Sequence, residues 1–172
     1  MDRDPPRRSR LRHALDEGRF WGRAALAGAR LSAAAPAGLL RGVSGLLTRR
    51  ARRNPRATAL RTRDREVTYG ALNDAVNRGA RFWDAQGVGA GAVIGLQVGN
   101  RVETIVHELA LARVGAAAAL LAPDLAESAL NHALTVCGAV GLMGIGETPS
   151  DAWTGPYWPL EQVSAALEET SA

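Results

Sequence analysis

Apolar residues recur at three- and four-residue spacing from Leu72 through Ala75, Val76, Gly79 and Ala80 to Trp83, which is the stripe of a helix with one buried face. Thr68 stands just before that stripe, where its hydroxyl can accept one of the backbone N–H groups left unpaired at a helix start. The helix is expected to reach about Gln86. Upstream, Thr58–Thr62 and Glu66–Thr68 read as two short strands joined through a turn at Asp64-Arg65. Downstream the pattern alternates between apolar runs and helical periodicity. Ala92–Val98 reads as a strand, followed after Gly99-Asn100 by a helix with Val102, Ile105, Val106 and Leu109 inward, ending near Gly115. Ala116–Leu121 is a further strand. Pro123-Asp124 opens a helix burying Ala129, Leu130, Ala133, Leu134 and Cys137, and Ala139–Ile145 is another strand. Strands alternating with helices in this way predict an α/β fold, a mostly parallel sheet with flanking helices and right-handed crossovers.

The two ends of the chain follow other patterns. Residues 1–53 are expected to form a basic helical arm, residues 54–146 the α/β lobe, and residues 147–172 an irregular tail with a short helix over Leu160–Glu169. The first nine residues read as disordered, and Pro36 ends the helical stretch that begins at residue 10. On a helical wheel Arg19, Arg23 and Arg30 fall within about 20° of Arg12, opposite a face of Ala and Gly with Trp21. A second amphipathic segment carries Leu39, Leu40, Val43, Leu46 and Leu47 and ends in Arg49, Arg50, Arg52 and Arg53. Arginine stems can snorkel around apolar residues at an anionic bilayer. Arg12, Arg19, Trp21, Arg23, Arg30, Leu39, Val43, Leu46 and Leu47 are therefore the candidate membrane-contact residues. The alternative is a solvated arm; a transit peptide is disfavoured by Asp16 and Glu17.

Charge sharpens this division. Across the 172 residues the net charge is +4, yet residues 1–65 hold 17 arginines against 5 acidic residues and residues 66–172 hold 4 against 12. Basic arms of this kind meet anionic membranes or nucleic acid. Nucleic acid is the weaker partner because only Phe20 and Trp21 could stack bases there. There is no lysine anywhere in the chain, which excludes a Walker-type phosphate loop and Schiff-base chemistry. The single cysteine, Cys137, excludes an internal disulfide and a multi-cysteine metal site, and fits a reducing compartment. No secretory signal is evident. The longest uncharged run, Ser128–Gly146, reads as helix, turn and strand rather than a membrane span.

Local motifs supply no chemistry. Gly87-Val88-Gly89-Ala90-Gly91 follows a helix and precedes a strand, the reverse of a dinucleotide fingerprint, so it reads as a helix C-terminal turn. His107-Glu108 begins like a zinc-protease helix, but Leu111 stands where the second histidine belongs. His132 and Cys137 fall about 140° apart on their helix, too far round to act together. No G-x-S-x-G nucleophile elbow is present.

The order of segments from Ala51 to about Val140 carries a resemblance. Arg52-Arg53-Asn54-Pro55 matches a basic Asn-Pro turn after a helix, Ala59-Leu60 a short strand, Asp64-Arg65 a charged hairpin, and Val67-Thr68-Tyr69-Gly70-Ala71-Leu72 an "lTYgeL" segment. Asn77-Arg78-Gly79-Ala80-Arg81 and Gly87–Leu96 match "N-r-A-r-a-L" and "G-v-g-p-G-D-v-V-a-l", with Ala92 in place of the acidic residue. This stretch resembles the N-terminal part of adenylate-forming acyl-CoA synthetases. Asn100-Arg101-Val102-Glu103, the run Val114–Leu121 and Ala129-Leu130-Asn131-His132-Ala133-Leu134 are similar to elements of the very-long-chain acyl-CoA synthetase and fatty acid transport protein group.

The resemblance implies a truncated N-terminal lobe of a ligase that activates a fatty acid with ATP, through acyl-AMP, to acyl-CoA. ATP, Mg²⁺ and CoA are implied for the complete enzyme and no cofactor for this chain alone. The family's phosphate loop, adenine segment and catalytic lysine are missing from the sequence, so no catalytic, cofactor-binding or metal-binding residue can be carried over, and the chain is expected to be inactive alone. The implied partners are an anionic membrane surface, a second polypeptide completing the enzyme and, once completed, a fatty acid. The expected location is the cytoplasm, with a peripheral position on the inner face of the membrane. The competing expectation is a non-enzymatic membrane-surface or partner-binding module using the arginine arm and an open sheet edge.

Overall fold

The computed structural model describes residues 42–147 and 153–169. The chain divides into two compact units, Met1–Leu40 and Arg41–Ala172, and all described residues belong to the second. Its first helix, α1 (Gly42–Arg53), buries Ser44, Leu47 and Ala51, an i, i+3, i+7 stripe. That stripe packs on two later helices. The helix grouped with the arm by its charge is thus part of the compact unit, which begins at Arg41 rather than Asn54.

An antiparallel hairpin follows, β1 (Thr58–Arg61) and β2 (Glu66–Thr68), with Arg61 opposite Glu66 and the two side chains paired at 2.7 Å. The next helix, α2 (Tyr69–Ala85), starts as expected: Thr68 accepts a hydrogen bond from the Ala71 N–H at 3.2 Å. It stops where Gly87 adopts a positive φ of 74°, and the Val88 N–H returns to the Trp83 carbonyl. The glycine-rich loop is therefore a helix terminus.

The core sheet contains β3 (Val93–Gln97), β4 (Ala117–Leu120), β5 (Gly141–Gly144) and β6 (Tyr157–Pro159) in the order β4-β3-β5-β6, every pair parallel. Helix α3 (Val102–Val114) connects β3 to β4, α4 (Glu127–Cys137) connects β4 to β5, and α5 (Leu160–Glu169) follows β6. The tail is thus not wholly irregular: Tyr157 pairs with Leu142 and extends the sheet. Pro159 reads as a breaker in the sequence but ends an edge strand, where its missing N–H costs nothing.

The two sheet faces are covered unequally. Ile94, Leu96, Val98 and Met143 join one large core with Leu72, Val76 and Trp83 of α2, Val106, Ala110 and Leu111 of α3, and Leu160 and Val163 of α5. On the other face Leu142 meets Leu130 and Leu134 of α4 in a smaller cluster, flanked by partly buried residues such as Leu121 and Tyr157. Gly95 keeps that approach open, since a Cβ there would lie 2.7 Å from Leu134 Cδ2. Two helical faces differ from expectation. In α3 the buried residues are Val106, His107, Ala110 and Leu111, while Ile105 and Leu109 are half-buried, because α3 is covered by the sheet and by α2 at once. Helix α4 begins at Glu127, not Pro123, and Ala129 is exposed.

Candidate functional site

Of the candidate membrane-contact residues, Arg12, Arg19, Trp21, Arg23, Arg30 and Leu39 lie outside the described residues. Val43 and Leu46 stand on the outer face of α1, 67% and 59% exposed, but Leu47 is only 6% exposed. Leu47 belongs to the core and is unavailable to a bilayer; one residue of helical rotation separates it from Leu46. Arg50, in the same basic run, lies over the Tyr69 ring at 5.4 Å.

Arg113 on α3 explains why α1 docks. Its Nε donates to Ser44 Oγ at 2.9 Å, and its Nη2 to the Ser44 carbonyl and Thr48 Oγ1 of α1 at 3.3 and 3.1 Å. Nη2 also reaches Asn73 Oδ1, and Nη1 donates to Asn77 Oδ1, both on α2. One guanidinium thereby ties three helices together. Partial burial pulls its pKa below the ordinary arginine value without threatening its charge. This cluster is structural.

A cavity of about 340 Å³ lies between the hairpin, α2, α3 and α5. Arg65 and Glu66 form its exposed rim, Leu72, Val106 and His107 its buried floor, and Ser164 of α5 closes one side. The rim charges are largely committed: Arg65 Nη2 contacts Glu103 Oε1 at 2.9 Å, and Glu66 takes both Arg61 and Thr58. Arg78 also lines the cavity, and its buried Nε has no hydrogen-bond partner. His107 is 1% exposed, with an edge-on ring contact to Trp83 and no partner on Nδ1. Desolvation drives its pKa down to about 4 against the weaker opposing pull of Glu103, so the imidazole is neutral near pH 7. The arrangement offers a cation and a neutral imidazole above an apolar floor. It contains no activated nucleophile with a base beside it.

His107 is therefore a buried neutral imidazole packed against Trp83 rather than a zinc ligand, and no role for Arg78 follows from its place in the sequence. No signal in the sequence marks it, because Arg78 stands off the apolar stripe of α2, where a solvated arginine is ordinary.

A sequence signature described as "AMP-binding enzyme" matches residues 47–170. The chain belongs to the AMP-binding enzyme family. This AMP-binding chain is similar to phosphinothricin tripeptide synthetase PhsC of Streptomyces viridochromogenes, 34% identical over 103 residues, covering 60% of this chain and 10% of that protein. It is also similar to a linear gramicidin synthase of Brevibacillus parabrevis, 39% identical over 75 residues, covering 44% of this chain and 2% of the synthase. The chain thus spans a tenth or less of the length of these relatives. Among solved structures, the N-terminal subdomain of Klebsiella oxytoca NpsA superposes with a TM-score of 0.67 at 18% identity, over 76% of this chain and 33% of that one. VinN does so with 0.70 at 21% identity, over 74% and 35%. At such identities the likeness establishes the fold, an N-terminal adenylation-type lobe.

These relatives are peptide synthetases, and the expected closeness to the very-long-chain acyl-CoA synthetase and fatty acid transport protein group is not supported. The elements behind that expectation, residues 100–103, 114–121 and 129–134, build the start of α3, its end with β4, and α4 of the shared lobe. The chain has no lysine, and the described residues include no group of three or more His, Cys, Asp or Glu able to hold a metal. Charge building on a transferred phosphate needs such cations, so no step of adenylation is assigned to these residues. Among the described residues no helix is long and apolar enough to cross a membrane.

Proposed function

We propose that this chain supplies the first lobe of an enzyme that activates an amino or aryl carboxylic acid with ATP. In that reaction a carboxylate oxygen attacks the α-phosphorus, pyrophosphate leaves, and an acyl-adenylate forms. The observation that carries the reading is the family match over residues 47–170 together with relatives that are peptide synthetases. The related folds point the same way: the NpsA subdomain is described in complex with 3-hydroxybenzoyl-AMSN, and VinN with L-aspartate. The lobe contributes a scaffold, and the cations required at the phosphates come from other residues or from a second polypeptide. The outer edge of β4, an edge strand of the described sheet, offers backbone groups for such an addition.

The test is carboxylate-dependent ATP–pyrophosphate exchange, run on the 172-residue chain and on a product extended through whatever the DNA beyond Ala172 encodes. The reading expects no exchange from the chain alone, and exchange with amino or aryl acids once a lysine-bearing Ser/Thr/Gly-rich loop is joined to it. Exchange by the chain alone, or exchange supported only by a long-chain fatty acid, contradicts it.

The exposed pair Val43 and Leu46, next to exposed Arg49, Arg52 and Arg53, supports a narrower role for α1 as a contact with anionic bilayers. Sedimentation with phosphatidylserine vesicles should fall when both residues become serine; equal sedimentation removes this reading.

A further inference from the structure

The cavity between the hairpin, α2, α3 and α5 plays no part in the activity proposed above, yet its chemistry is selective. Its charged lining is balanced, two arginines against two glutamates. Arg65 is held by Glu103, and Glu66 by Arg61. Arg78 is left as the lining cation that makes no ion pair or hydrogen bond among the described residues, with Nε buried. Arg78 is only half-buried, and its guanidinium as a whole has no committed protein acceptor among the described residues, so it is the lining charge still free to take one. The rest of the wall is apolar, chiefly Leu72, Ala75, Val102 and Val106.

We propose that this cavity binds a small monocarboxylate with a compact apolar body, its carboxylate taken by Arg78 and its body lodged against Leu72, Ala75, Val102 and Val106. The single unpaired cation matches a monoanion. A phosphate or other polyanion would meet Glu66 and Glu103 with insufficient positive charge to offset them. The volume of about 340 Å³ is near the lower end for small-molecule sites and is ample for a body of benzoate size. This binding needs neither ATP nor the remainder of an adenylating enzyme, so it stands or falls separately from the proposed function.

The experiment is calorimetric titration of the full 172-residue chain with benzoate, with benzamide and inorganic phosphate as comparison ligands. Benzoate should bind saturably at one site, with benzamide at least about tenfold weaker because the charge-assisted contact is lost. Phosphate should neither bind there nor compete. R78Q should weaken benzoate by about tenfold or more, and A75L should weaken it by crowding the apolar wall, each with an unchanged circular-dichroism spectrum. Absence of saturable benzoate binding to the folded wild-type chain overturns the proposal, as does equal affinity for benzamide or an R78Q affinity equal to wild type. Phosphate competing as well as benzoate overturns the monocarboxylate assignment. The benzoate–benzamide comparison uses the wild-type chain only and remains decisive if either variant fails to fold.

Discussion

Arg113 on α3 and Arg78 on α2 both carry guanidiniums into the helical layer above the sheet, and their surroundings are opposite. Arg113 meets Ser44, Thr48, Asn73 and Asn77 and fastens α1 to the rest of the lobe. Arg78 borders a cavity and leaves its buried Nε without an acceptor. A cation surrounded by acceptors adds to stability through many modest bonds. One left without protein acceptors adds little to stability, and is therefore where a ligand has something to gain. The same residue type thus serves as a fastener against one face of α2 and borders a cavity along another.

The largest effect expected concerns the cavity floor. The folded-state pKa of His107 is lowered from 6.5 to about 4, so between these pH values the unfolded chain binds the proton and the folded chain does not. Stability is then fully present above about pH 6.5 and falls as the pH drops toward 4, by about 3 kcal/mol for a shift of this size. Glu103, Glu66, Arg65 and Arg78 also line this cavity. Urea unfolding of wild type and His107→Gln across pH 4 to 7 checks the assignment: the variant should lose most of this slope, and an unchanged slope would place the titration elsewhere.

Next in size is the fastener. Arg113→Ala strands the acceptors on α1 and α2 and should cost about 2 kcal/mol, read as a lower urea midpoint. Because α1 loses its tie, limited proteolysis should cut within Gly42–Arg53 before the sheet unfolds. Smallest is Arg78→Gln, which breaks no hydrogen bond and should change stability by less than about 0.5 kcal/mol. A loss comparable to that of Arg113→Ala would erase the distinction between the two arginines.

The sequence displays most of the fold and little of the site. Helix α2 is legible because its apolar stripe is one-sided and Thr68 caps it. The parallel sheet is legible because strands and helices alternate at crossover length. The inward face of α3 is not, since a helix covered on two sides has apolar residues around most of its circumference and no unique stripe. The three-residue strand β6 hides behind its proline. Leu47 and Leu46 are equivalent on composition, and only the docking of α1 separates them. The cavity is illegible for a different reason: its lining comes from the hairpin and three helices, and the state of Arg78 depends on which acceptors those elements fail to provide. Acid class is likewise absent from the motifs, which are those of the lobe rather than of a substrate pocket.

The most direct measurement follows the arginine Nε–H signals in ¹H–¹⁵N spectra of the full chain during a benzoate titration. A saturable shift of the Arg78 Nε–H, with the Arg113 Nε–H exchanging slowly and staying in place, is the expected result. Equal shifts of both signals, or no shift of Arg78 at saturating benzoate, would contradict the division of roles drawn between them.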